Sequence, residues 1–190
     1  VFMHMPTKWA VLVWVVVVAC LGAYYVLVAE SERVGDWRVY QGSARCLRDA
    51  ESHQRYLDVS YTVKHPSKPL FSYVALLAGR HARNGGALRL DYQSEWPTTL
   101  LVVVHERDGS TYQTPVEILH REVWTAHLLM PGAFKPRATP AGEDENGVLD
   151  LDQLAPRVDF YDGSGVIAPS TTFSNRLKLT PPVLGQTSAP

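Results

Sequence analysis

Two cysteines in 190 residues, Cys20 and Cys46, leave little room for disulfide or thiolate chemistry. Cys20 lies inside a long apolar run and Cys46 beyond it, so the two are not expected to pair. Cys-x-x-Cys-His is missing, which excludes covalent haem attachment. Also missing are a Gly-x-Ser-x-Gly elbow, a phosphate loop, a dinucleotide fingerprint and His-Glu-x-x-His. No catalytic residue and no cofactor is therefore assigned. The sequence has no Asn-x-Ser/Thr acceptor, which counts against a glycosylated eukaryotic surface. Neither sign of charge dominates: 18 Lys and Arg face 19 Asp and Glu, a net charge of −1. That balance leaves no electrostatic footprint for nucleic acid. The seven histidines are scattered, with His120 and His127 on either side of Trp124 and His105 closing a strand. Their spacing matches no metal pattern, and they read as solvent-facing or locally bonded.

What the sequence does have, first, is apolar length. Trp9 to Val28 carries no charged residue and is bounded by Lys8 on one side and Glu30, Glu32 and Arg33 on the other. At ~1.5 Å per residue a helix of that length spans roughly 30 Å, a bilayer's hydrocarbon core. Trp9, Tyr24 and Tyr25 sit towards its ends, where amphipathic rings favour the interface. Val17-Val18-Ala19-Cys20 fits a lipobox, but Leu21 to Val28 continue apolar where a lipoprotein usually turns polar. The run is thus expected to be a retained single-pass helix over 9–29, after a short tail over 1–8. Ala19, Gly22 and Ala23 are the small residues expected to let it pack against other helices. The tail has one Lys, whereas Arg33, Arg38 and Arg45 follow the helix, so the basic residues do not decide orientation. The expected placement is a bacterial inner membrane with the following domain in the periplasm, where an exported domain without disulfides is ordinary.

The remaining ~160 residues suit one domain. Residues 30–56 read as a polar connector and lead-in, Ser43 to Arg55 forming a short helix or irregular segment. Strand signals follow at 58–63, 72–78, 87–93, 99–106, 111–118, 123–130, 157–161 and 176–180. Leu88, Leu90 and Tyr92 alternate with Arg89, Asp91 and Gln93; Val158 with Phe160 and Leu177 with Leu179 repeat the pattern. Leu100 to Val104 is apolar on both faces, as a central strand would be. Asn84-Gly85-Gly86 precedes one strand, Arg107-Asp108-Gly109-Ser110 joins two in a hairpin, and Pro131-Gly132 ends another. The expected architecture is mainly β: an antiparallel β-sandwich of jelly-roll type with about eight strands over 57–180. The stretch from Lys135 to Asn146 reads as an exposed loop, and 181–190 as an extended tail.

The stretch LRLDYQSEWPTTLLVVVHERDGSTYQTPVEI, then Val123-Trp124, Met130-Pro131-Gly132-Ala133-Phe134 and Asp144-Glu145-Asn146-Gly147-Val148-Leu149-Asp150, resembles the galactose-binding-domain-like jelly rolls. Those include certain carbohydrate-binding modules and the complex I intermediate-associated protein family. The resemblance covers Leu57 to Leu179. It implies that the Asp-x-Asn-Gly-x-Leu-Asp segment turns into a short helix ahead of a core strand. Because related jelly rolls often carry a structural calcium, it makes Asp144, Asn146 and Asp150 weak calcium candidates, although a solvated acidic loop is the better reading.

Trp96, Tyr112, Trp124 and Tyr161 are the aromatics on offer for stacking a sugar ring. Trp124 shares parity with Ala126, Leu128 and Met130 and is expected in the core, with Thr125 and His127 facing away. Trp96, beside Pro97 in a loop, is the one expected to be exposed. Fold alone does not choose among sugar, protein partner and assembly. From the apolar run, the chain reads as a non-catalytic accessory subunit of a larger membrane complex, photosynthetic (reaction-centre or light-harvesting) or respiratory. Its partners would then be the lipid bilayer and other subunits, met through the helix and a periplasmic capping domain. The alternative is a membrane-anchored carbohydrate-binding module that stacks sugar on Trp96.

Overall fold

Along residues 86–94 nearly every second side chain is buried: Leu88, Leu90 and Tyr92 lie inside while Arg89 points to solvent. The computed structural model describes residues 32–63, 67–76, 86–119, 122–137, 147–163 and 174–186. Within them, thirteen strands form two antiparallel sheets. The first sheet contains β1 (Glu32–Val34), β2 (Trp37–Val39), β5 (Phe71–Tyr73), β7 (Thr98–Glu106), β8 (Thr111–Ile118), β10 (Lys135–Pro136) and β11 (Leu154–Asp162). Its spatial order is β1-β2-β5-β11-β7-β8-β10. The second sheet contains β3 (Ser43–Arg48), β4 (Arg55–Thr62), β6 (Gly86–Ser94), β9 (Thr125–Leu129), β12 (Ser174–Leu179) and β13 (Val183–Gln186). There β9 lines one edge of β6, and β12 and β13 succeed one another along its other edge, with β4 and β3 beyond β12.

The inner faces meet in one core. Leu57, Val59, Leu88, Leu90, Leu177 and Leu179 come from the second sheet; Phe71, Val102, Val104, Tyr112, Val158 and Phe160 come from the first. Phe71 and Phe160 stack at 5.0 Å, and Trp37 packs against both and against Tyr73. β7 runs between β11 and β8, and Val103 is buried on its outer face as Val102 and Val104 are on the inner one. That is the doubly covered strand expected from Leu100 to Val104. The expected hairpin over Arg107–Ser110 joins β7 to β8, with the Asp108 carboxylate accepting from the Ser110 amide at 2.8 Å. A 3-10 turn, Leu151–Gln153, sits directly ahead of β11, where the jelly-roll resemblance implies a short helix.

The jelly-roll sandwich stands, but its edges differ from the reading of the sequence. Residues 30–56 contain β1, β2, β3 and the start of β4 instead of a connector. Trp37 and Val39 are buried there around an exposed Arg38. Ser43–Arg48 is neither helix nor irregular: it pairs with β4 from Ser43 opposite Ser60 to Arg48 opposite Arg55. As an edge strand it buries almost no side chain, so it carries no apolar period. The tail over 181–190 contributes β13, paired with β6. These short edge strands, together with β10, raise the count from about eight to thirteen.

The parity of β9 is reversed. Thr125, His127 and Leu129 lie opposite Tyr92, Leu90 and Leu88 on the inner face. Trp124, Leu128 and Met130 are exposed. The apolar run at 9–28, with Ala19, Gly22 and Ala23, lies outside the described residues. No helix among the described residues is long and apolar enough to cross a membrane.

Candidate functional site

Along β11, Val158 and Phe160 enter the core, so Arg157, Asp159 and Tyr161 leave the first sheet on its outer face. An outward carboxylate ordinarily meets water, yet the Asp159 side chain is only 1 % exposed. Removing a charge from water is unfavourable unless it is paired and hydrogen-bonded. Three donors from three strands do this. Ser72 Oγ donates to Asp159 Oδ1 at 2.5 Å and Arg157 Nε donates to the same oxygen at 2.7 Å, while His105 Nε2 lies 2.9 Å from Oδ2. The sheet register makes this possible, with Ser72 and Val103 flanking Asp159 on β5 and β7 and His105 two residues along. Burial on its own pushes the Asp159 carboxyl up, but the bonds from His105 and Arg157, the Arg157 charge and the Ser72 bond outweigh it and hold it below its ordinary value. Asp159 stays ionised, and it fixes two partly exposed polar groups, the guanidinium of Arg157 and the imidazole of His105, at the surface.

Around this centre the same outer face is aromatic and polar. The Arg137 guanidinium lies 4.8 Å over the Tyr161 ring. Arg38 stands opposite Ser72, and Gln113 lies between Val103 on β7 and Lys135 on β10. The strands hold one aromatic ring, Tyr161, and several polar side chains on the same face. That array suits a polyhydroxylated ligand, which offers apolar ring faces and hydroxyls together. Ser72 and His105 both engage the carboxylate and not each other, so they form no nucleophile–base pair.

The outer face of the second sheet is different. Tyr56 of β4 meets Trp124, just ahead of β9, edge-on at 5.7 Å. Beside them lies a cleft of about 380 Å³ lined by Arg89, Asp91, Thr125, Ala126 and Thr180 among others. A second cleft of about 380 Å³ continues past Gln93 to Glu122, Arg176 and Lys178.

The residues singled out from the sequence fall unevenly on this frame. Trp96 is exposed in the β6–β7 turn, where Asn175 binds its backbone, but it lines neither cleft. Tyr112 is core and Tyr161 belongs to the Asp159 face. Asp150 accepts from the Asp152 amide and caps the 3-10 turn; Asp144 and Asn146 lie outside the described residues. No group of acidic, His and Cys residues able to hold a metal occurs among the described residues. Ser72, Arg157 and Asp159 were not anticipated. The one local signal for them was the alternation Arg157, Asp159, Tyr161 opposite an apolar Val158 and Phe160.

No family model matches the chain, and no curated protein matches it. Solved structures do. A family 11 carbohydrate-binding module studied in solution, CtCBM11, superposes with a TM-score of 0.61 at 16% identity, over 83% of this chain and 92% of that one. The fold is shared with a carbohydrate-binding module. An exo-β-agarase superposes with a TM-score of 0.55 at 10% identity over 83% of this chain, which spans 24% of the enzyme's length. The expectation of a membrane-complex subunit is corrected here: the fold found is that of a carbohydrate-binding module, which fits the alternative reading, and no membrane-spanning helix occurs among the described residues. Nothing in them supports the complex I intermediate-associated protein family.

Proposed function

We infer that the domain is a non-catalytic carbohydrate-binding module that holds a polysaccharide on the outer face of its first sheet. The observation that carries this reading is the Asp159 centre. A buried, ionised carboxylate orients Arg157 and His105 outward beside the Arg137–Tyr161 pair. Orienting groups that are themselves locked give a site its precision. Arg157 would donate to sugar hydroxyls and Tyr161 would take the ring face. The likeness to a carbohydrate-binding module, and to part of an agarase, fits a glycan ligand. The apolar run over 9–28 would hold this module at a bacterial inner membrane with the domain outside, a placement that protease treatment of intact spheroplasts tests.

Affinity electrophoresis of the full chain through gels containing β-glucan, agarose or xylan tests the function. Retardation by at least one polysaccharide is expected, and Arg157→Ala should reduce it severalfold. Equal mobility in every gel would remove the reading.

A further inference from the structure

The second sheet carries a feature that the Asp159 face does not explain. β4 and β9 are separated by β12 and β6, so at ~4.8 Å between neighbours their backbones lie roughly 14 Å apart. Their aromatic rings nonetheless meet: the Tyr56 and Trp124 centroids are 5.7 Å apart. The two side chains therefore lean across the sheet towards each other, and Trp124 remains 40% exposed while doing so. An exposed indole held edge-on by a phenol is a fixed platform.

The surroundings are polar and acidic on balance, with Asp49, Glu51 and Asp91 set against Arg89. Arg89 Nε bonds Asp91 Oδ1 at 2.9 Å, and the Asp49 carboxylate accepts from the Ser52 amide and hydroxyl and the Glu51 amide. Farther along, Arg176 grips Asp58 through two nitrogens. With Arg89 and Asp91 paired, Asp49 and Glu51 leave the cleft negative, which disfavours an acidic chain and leaves a neutral one as the ligand that fits. The cleft beside the rings and the next one share the wall formed by β6, where Arg89, Asp91 and Gln93 all face outward. Those three positions span roughly 14 Å of strand at ~3.4 Å per residue, a trough longer than a single sugar ring. The geometry points to a second binding site: a trough running from the Tyr56–Trp124 pair along β6 takes a neutral oligosaccharide chain, its ring face on Trp124 and its hydroxyls on Arg89 and Asp91. The two outer faces of the sandwich then bind glycan independently, so one domain can bridge two chains.

The test uses the full chain in detergent and cellohexaose as the neutral probe, with hexagalacturonate as the acidic one, read by calorimetry and by tryptophan emission. In an Arg157→Ala background, which weakens the first face, cellohexaose should still bind and shift the emission to the blue. Adding Trp124→Ala should weaken that residual binding about tenfold and abolish the shift, a loss typical of one stacked aromatic. Tyr56→Ala, equally outward, provides a second variant, and unchanged thermal melts verify that both fold. If Arg157→Ala alone removes all binding, or residual affinity ignores both aromatic substitutions, the second site is refuted while the proposed function stands. If Trp124→Ala abolishes binding and Arg157→Ala does not, the second site stands and the Asp159 face is refuted. Stronger binding of hexagalacturonate, or loss of a self-associated species on Trp124→Ala without loss of sugar binding, also overturns the inference.

Discussion

His105 and Asp159 are 54 residues apart in the chain, and His105 Nε2 lies 2.9 Å from Asp159 Oδ2. Ser72, 87 residues from Asp159, completes the contact from the opposite neighbouring strand. The carboxylate is buried only because β5, β11 and β7 lie in one register; a slip by one residue would turn it into the core unpaired.

Removing the carboxylate should therefore be felt well beyond the surface. Asp159→Ala is expected to cost about 2–3 kcal/mol of stability, since loss of one partner leaves the others without compensation. The value sits at the low end because the side chains of Arg157 and His105 are 45% and 26% exposed and water can reach them. Urea unfolding measures it, and an unchanged midpoint would show that the network contributes nothing to folding.

The acid limb of stability should follow the same group. The folded Asp159 carboxyl is held below its ordinary value of 3.8. A depressed carboxyl contributes stability that is complete above its unfolded pKa of about 3.9 and is lost as pH falls through the folded value. The native chain should thus lose stability below about pH 4 more steeply than Asp159→Asn does. Parallel urea titrations across that range check this, and identical slopes would contradict it.

Gly42 is a backbone requirement. Its φ is +128°, and a Cβ there would lie inside contact distance of the Ser60 carbonyl oxygen and the Tyr61 Cα. Gly42→Ala should destabilise by more than about 2 kcal/mol, from the left-handed conformation and from a clash that only backbone movement relieves. Gly132→Ala is the control: nothing lies within 4 Å of its added Cβ, and its melting temperature should stay near that of the native chain.

Phe160 tests the core. It is fully buried and stacks on Phe71 at 5.0 Å. Phe160→Ala should remove about 3–5 kcal/mol by denaturant unfolding. A loss under 1 kcal/mol would mean that the two sheets close over the gap.

Period-2 alternation was enough, without any structure, to place the long central strands. Residues 86–94 and 111–118 bury one face and expose the other, and such a pattern has only one local reading. β7, apolar on both faces, announced its central position in the same way. Alternation says that a strand has two faces, however, not which of them is inner when both carry apolar residues. Trp124, Leu128 and Met130 compete with Leu129 in that way, and the pairing of β9 with β6 decided for Leu129. β3 buries too little for any period to appear, so only its pairing with β4 makes it a strand. The candidate sites are further still from local reading. Arg157, Asp159 and Tyr161 are legible as an outward row, but the depth of Asp159 depends on Ser72 and His105, and the Tyr56–Trp124 contact on side chains from strands three places apart. Local sequence determines which residues can form strands; the register between distant strands determines which charges can be buried and which rings can meet, because those energies exist only after the sheets have assembled.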